Sequence, residues 1–156
     1  YGQCNNNNER KSTTTLSVIS WNIFSDVWYQ KGRHNNDYAH TLHEHGSWEG
    51  RFPLFLKWIE DLDTPDVLAL QEVDFDKFHS HLLPQLRARG YDGRMQSPKK
   101  NGKYQPCGVA TFWRVDKLKL AKGKRGEASF SRSMALVFQL LKREGQNGTD
   151  ACHDES

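Results

Sequence analysis

The chain has 156 residues, of which 36% are hydrophobic and 26% charged, and its mean hydropathy is −0.83. That length allows one domain of ordinary size. No apolar run is long enough to cross a bilayer and no signal-peptide pattern opens the sequence, so a membrane partner is not expected. Lys and Arg number 22 against 19 Asp and Glu, a net charge of +3, which suits a phosphate-bearing ligand without demanding one. Cys4, Cys107 and Cys152 are too far apart for a metal-binding spacing or an obvious disulfide framework. They point to a reducing, intracellular setting, cytoplasmic or nuclear. Five Trp, five Tyr and eight Phe can build a core, stack on bases, or both.

In chain order, residues 1–15 are polar, with an Asn run, and are expected to be a disordered lead-in. Residues 16–22, Leu-Ser-Val-Ile-Ser-Trp-Asn, alternate as a strand does. Asn22 falls where that strand ends. It can start a turn, or its amide can hold a phosphate oxygen or a metal-bound water, since it offers both donors and an acceptor. Residues 25–47 show no clear periodicity. His40, His43 and His45 raise a zinc hypothesis there, but their spacing is poor for one helix face and a solvated loop is the expectation. Residues 48–62 predict a helix, with Phe52, Phe55, Leu56, Ile59 and Leu62 on one stripe and Ser47 as its cap. Pro53 is expected in the first turn, where proline is tolerated.

Pro65 and Asp66 then open a short apolar run, Val67-Leu68-Ala69-Leu70, that suits a strand buried on both faces. The sequence turns polar at Gln71, Glu72 and Asp74. A carboxylate at the end of a buried strand is held rigidly while facing a cleft, a placement that suits a hard cation. The alternative is that Glu72 is a solvated strand end. Asp74 can cap a second helix over residues 75–89, with Phe75, Phe78, Leu82 and Leu86 as its stripe, Pro84 as a kink or stop, and Gly90 as its end. Residues 91–96 predict a strand and residues 97–106 a basic loop. Lys99 and Lys100 in that loop can track a phosphate backbone if it borders a cleft. Residues 108–113 predict a strand, with Leu118 and Leu120 returning in a hairpin around Val115-Asp116. A basic loop follows at 122–131, a strand at 134–141, and a polar tail or truncated loop over 143–156.

Together these segments resemble the endonuclease/exonuclease/phosphatase superfamily, the deoxyribonuclease I-like fold, nearest its carbon catabolite repression deadenylase, nocturnin and angel branch. The matching pieces come in the family's order. Ser17 to Phe24 is similar to the opening strand with its active-site Asn. Trp48-Glu49-Gly50-Arg51 is similar to the start of the first helix, and Asp66 to Asp74 to the metal-binding strand. Gly90-Tyr91-Asp92-Gly93, Ser97-Pro98-Lys99-Lys100 and Gly108-Val109-Ala110-Thr111-Phe112 resemble the segments that follow. The resemblance covers residues 16–142. It departs where the branch has Asp-Gly-Cys-Ala, since Cys107-Gly108-Val109-Ala110 stands here, and where Arg132-Ser133-Met134 replaces a substrate-contacting Asn.

The resemblance implies an α+β fold, the first half of a four-layer, two-sheet sandwich with flanking helices, which alone would leave an apolar sheet face uncovered. It implies Mg²⁺- or Mn²⁺-dependent phosphodiester hydrolysis, with Glu72 as the metal ligand and Asn22 as the second catalytic residue. Lys99 and Lys100 would be substrate-binding. The implied activity is that of a 3′-exoribonuclease on RNA, with poly(A) favoured. The family's Thr-His-Leu, Gly-Asp-x-Asn and Ser-Asp-His segments do not occur in the sequence, so this chain is expected to be inactive unless another chain supplies them. A superfamily phosphatase acting on a small nucleotide or lipid, and a non-catalytic RNA- or protein-binding remnant, are the alternatives.

Overall fold

The computed structural model describes residues 15–100, 103–121, 127–129, 136–138 and 140–142. Its centre is a four-stranded mixed sheet. β1 (Val18–Asn22) runs parallel to β2 (Val67–Asp74), β2 is antiparallel to β6 (Cys107–Arg114), and β6 is antiparallel to β3 (Tyr91–Gln96). Parallel neighbours need a long crossover. Here it carries α1 (Asp26–His34), α2 (His43–Gly46) and α3 (Trp48–Asp61).

Alternation decides which side chains face the helices. Ile19, Leu68, Phe112 and Gly93 lie in one cross-strand row, and Trp21, Leu70, Ala110 and Met95 in the next. Leu68, Leu70, Ala110 and Phe112 are buried with Phe55 and Ile59 of α3, and Ile19, Trp21 and Met95 pack against that core partly buried. Gly93 is required in its row, because a Cβ there would lie 2.4 Å from the Phe112 ring. The opposite face carries Val18, Ser20, Val67, Ala69, Val109 and Thr111. It stays partly open, with Val18 61% exposed. Such a face is what half of a two-sheet sandwich presents.

The predicted β1, α3, β3 and β6 form to within about two residues, and β2 forms but runs past the apolar Val67–Leu70 stretch to Asp74. Ser47 caps α3, its Oγ accepting from the Gly50 N–H at 3.3 Å. Pro53 departs from expectation. With the helix beginning at Trp48 it stands inside the helix and past the first turn, where it cannot donate to the carbonyl of Glu49. The second helix also differs. It consists of α4 (Phe75–Lys77), a π-helical segment (Phe78–Leu82) and α5 (Leu83–Arg87), which still bury Phe78, Leu82 and Leu86. Pro84 neither ends nor breaks it, since the wide π turn precedes it and Pro84 falls at the start of α5.

Residues 26–34, without visible periodicity, are helical as α1. That helix buries little beyond Tyr29 and Gly32, so it leaves almost no apolar stripe to read. The expected hairpin after β6 does not form as a pair: β7 (Leu118–Leu120) pairs instead with β10 (Leu140–Lys142). β4 (Lys99–Lys100) pairs with β5 (Lys103–Tyr104) inside the predicted loop, and β8 (Glu127–Ser129) with β9 (Leu136–Phe138). Residues 1–14, Arg132-Ser133-Met134 and the segment 143–156 lie outside the described residues, as do the side chains of Lys99 and Lys100.

The parallel pair is tied at its start by Asp66. Ser17 N–H donates to Asp66 Oδ2 at 2.9 Å, and Asp66 N–H donates to Ser17 Oγ at 2.9 Å. Lys117 Nζ lies 2.6 Å from Asp66 Oδ1. The Lys117 ammonium holds the Asp66 carboxyl below the usual carboxylate range, against the burial that opposes it.

Candidate active site

The polar residues of β2 owe their placement to a break in the sheet. Gln71 pairs with Val109 and Val73 with Gly108, so the register shifts and Glu72 is left without a partner on β6. Strict alternation would put Glu72 on the helix face with Leu68 and Leu70. The bulge turns Val73 inward instead, fully buried, and frees Glu72 to project beyond the end of β1. Glu72 adopts φ +54°, a left-handed conformation that costs a non-glycine residue energy. Gly108 opposite the bulge permits close passage of β3: a Cβ there would lie 2.0 Å from the Gln96 carbonyl oxygen.

Asn22 ends β1 at the same level. Its Nδ2 donates to Glu72 Oε1 at 2.8 Å, joining residues 50 apart in sequence. Its Oδ1 accepts from the Phe24 N–H at 2.9 Å. Phe24 has φ +57°, so the chain turns sharply just after the strand. The second Glu72 oxygen accepts from the Ser25 N–H at 3.3 Å. The residues predicted as a pair, Asn22 and Glu72, therefore meet through a direct hydrogen bond, and the peptide between Asn22 and Ser25 folds over them.

Two further groups at this site were not singled out by sequence. Asp74 was read as a helix cap, but its side chain makes no cap bond to α4. Its carboxylate reaches back to the loop after β1 instead, where it accepts from Ser25 Oγ and, at 2.7 Å, from the Asp26 N–H. Burial pushes the Asp74 carboxyl above the usual carboxylate range, although those bonds oppose the rise. Arg51 fastens the other side of the loop: its Nη1 donates to the Ile23 carbonyl and its Nε to the Gly46 carbonyl, each at 2.7 Å. Burial lowers the Arg51 pKa, and the Asp26 and Asp74 carboxylates partly offset that. Arg51 is part of the Trp48–Arg51 motif and Asp74 of the polar end of β2, but nothing in the local sequence marks Ser25 as a site residue.

A groove of about 330 Å³ leads from Asn22 along the β1 edge, walled by Trp21, Phe24, Phe55 and Trp58. Trp21 lies 5.3 Å from Phe55 and 5.7 Å from Trp58, ring centre to ring centre. The His40, His43 and His45 segment lies elsewhere, and His43 Nδ1 contacts Arg33 Nη1 at 2.7 Å. Among the described residues no cluster of three or more His, Cys, Asp or Glu side chains is placed to hold a metal ion. No described helix is long and apolar enough to cross a membrane.

No protein-family model matches the chain. Individual proteins do. Mouse protein angel homolog 2 is 32% identical over 112 residues, which is 72% of this chain and 20% of that protein. Drosophila nocturnin is 34% identical over 114 residues, 67% of this chain and 16% of the relative. Among solved structures, ANGEL2, described as a 2′,3′-cyclic phosphatase, superposes with a TM-score of 0.66 in its complex with adenosine-2′,3′-vanadate. The identity is 28%, over 83% of this chain and 38% of that one. The chain belongs to the endonuclease/exonuclease/phosphatase superfamily. Its sheet and helices are those of the deoxyribonuclease I-like fold, on the angel, nocturnin and carbon catabolite repressor branch of the superfamily. The chain spans a sixth to a fifth of the curated relatives named here (16–20%) and about two fifths of the superposed ANGEL2 chain (38%).

Proposed function

We propose that this chain supplies the Asn22–Glu72 side of a magnesium-dependent phosphodiesterase site, that of a 3′-exoribonuclease favouring poly(A). The observation that carries the reading is the Asn22–Glu72 pair, built at the end of adjacent parallel strands by a bulge and two left-handed residues. Strained backbone of this kind is retained where geometry matters.

The donor set suits a hard cation in part. Magnesium is held by one or two carboxylates, with water and substrate phosphate completing its shell. Glu72 is half-buried and bonds Asn22, which lines the end of the groove. It would hold the metal, which when bound polarises a phosphate oxygen and stabilises the charge that develops during hydrolysis. Asn22 orients the Glu72 carboxylate with one Nδ2–H and keeps the other for a phosphate oxygen. Ser25 N–H fixes the second carboxylate oxygen. The groups that would orient the attacking water and stabilise the leaving oxygen are expected from a further part of the domain, so the activity belongs to the assembled site.

A second reading is specifically favoured by the ANGEL2 match, because that protein is described as a 2′,3′-cyclic phosphatase. The same two residues would then serve phosphate removal at an RNA end. The test compares parent and Glu72→Ala in a protein that carries the further part of the domain, on 5′-labelled poly(A), on mixed-sequence RNA and on RNA ending in a 2′,3′-cyclic phosphate, each with Mg²⁺, Mn²⁺ or chelator. Metal-dependent 3′ shortening lost in the variant supports the exonuclease. Opening of the cyclic end without shortening supports the second reading. Turnover that survives Glu72→Ala refutes the metal assignment.

A further inference from the structure

We propose that Asp74 is a positioning residue, and that through Ser25 it sets the orientation of Glu72 and Asn22. The inference rests on the reading of Asn22 and Glu72 as the reacting end of the site. Its ground is the way Ser25 bridges two carboxylates. The Ser25 N–H donates to Glu72 Oε2 at 3.3 Å, while its Oγ donates to Asp74 Oδ1. Ser25 is 1% exposed, so it has no room to swing between alternative partners. Asp74 Oδ2 takes the next N–H in the chain, that of Asp26. Asp26 Oδ1 in turn accepts from the N–H of Trp48, the first residue of α3, at 3.0 Å. A continuous run of hydrogen bonds thus joins the end of β2, the loop after β1 and the start of α3.

Asp74 serves α1 rather than its own helix: its carboxylate takes the N–H of Asp26, the first residue of α1, as an anion at a helix N-terminus does, and the hydroxyl of Ser25 before it. It does not cap α4, the helix it immediately precedes. Among the described residues it makes no ion pair of 4.0 Å or less, and Arg51 acts on it only at longer range. Burying an unpaired carboxylate is unfavourable, and an apolar residue could fill the volume at less cost. What the carboxylate provides besides that helix-end contact is a second acceptor that fixes the Ser25 hydroxyl in the loop before α1. That loop contains Phe24 in the left-handed region and faces Glu72 in the same region. Two strained residues keep one arrangement only if something around them over-determines it. Without the Asp74 clamp, the loop is free to relax at Phe24, taking the Ser25 N–H away from Glu72 and the Phe24 N–H away from Asn22 Oδ1.

The experiment records amide spectra of the ¹⁵N-labelled chain and follows two signals, the Asn22 side-chain NH₂ and the Ser25 backbone N–H. Both donate to Glu72. Asp74→Ala is expected to shift both and to speed their solvent exchange at least tenfold, while the amides of Leu68, Leu70 and Phe112 keep their positions and rates. Asp74→Asn, which can still offer an acceptor to Asp26 and a donor to Ser25 Oγ, should restore most of the original signals. A general structural role would move core and site together and would show no such rescue. Ser25→Ala removes only the hydroxyl bond and, read at the Asn22 side-chain NH₂ because the substitution shifts its own amide, gives the same answer if Asp74→Ala fails to fold. An unmoved Asn22 signal in both Ser25→Ala and Asp74→Ala, with Glu72→Gln shifting it, overturns the positioning role and leaves the pair standing. Unmoved signals in Glu72→Gln as well would mean that the pair does not form in solution, and the reading of the site fails with it.

Discussion

Replacing Asp66 by alanine tests the tie between β1 and β2. Asp66 is 2% exposed, and its carboxylate takes the Ser17 N–H at 2.9 Å and the Lys117 ammonium at 2.6 Å. The bond from Asp66 N–H to Ser17 Oγ is a main-chain donor and survives the substitution. Two contributions are lost. A hydrogen bond to a charged acceptor is worth about 1.5–3 kcal/mol. The Lys117 side chain is 54% exposed, so its head returns to water and that pair contributes at most about 1 kcal/mol. The expected loss is about 2–4 kcal/mol at pH 7, read by urea denaturation with the m-value unchanged. The pH dependence sharpens the test. Because the folded-state pKa of Asp66 lies below the ordinary aspartate value of 3.8, its contribution is present above the unfolded-state pKa and is lost as the pH falls through the folded one. The gap between parent and variant should therefore close in acid. A difference under about 0.5 kcal/mol at pH 7, or one that persists unchanged well below pH 3.8, would refute the account of how the strands are joined.

Three further outcomes follow from packing and hydrogen bonding. Gly93→Ala brings a methyl to 2.4 Å from the Phe112 ring and should destabilise by about 1–3 kcal/mol in thermal denaturation, with Phe112→Leu in the same chain recovering part of it. Ser47→Ala removes the α3 cap and should cost about 1 kcal/mol, measured by chemical denaturation. Tyr91 donates its hydroxyl to the Pro65 carbonyl at 2.6 Å, and burial pushes its pKa up to about 12. Its contribution is whole below the ordinary tyrosine value of 10.0 and disappears as the pH rises through 12, so the stability gap between the parent and Tyr91→Phe should narrow over that range.

Much of the fold was legible because apolar spacing is a local property. The run from Val67 to Leu70 announces a buried strand, and the Phe52, Phe55, Leu56 and Ile59 stripe announces the helix that covers it. α1 was missed for the converse reason. It buries only Tyr29 and Gly32, against Gly46 and Tyr38 of the segment that follows, so it shows no stripe of large apolar residues. The exchange of β7 from a local hairpin to pairing with β10 is non-local, since the partner lies 20 residues beyond it.

The site divides along the same line. Asn22 and Glu72 could be picked out as polar residues at the ends of apolar strands. Their type and position follow from sequence alone, and so does the resemblance that gives them a role. Only the tertiary structure brings them to 2.8 Å, because that distance depends on the parallel register of β1 against β2 and on a bulge that turns Glu72 away from the face it would otherwise share with Leu70. A bulge is set by the partner strand, here by Gly108 across from Val73, and cannot be read from β2 in isolation. The same holds for Asp74. Its place before a helix marks it locally as a cap, yet its carboxylate bonds Ser25 and Asp26, residues far away in sequence that the folded sheet sets beside it.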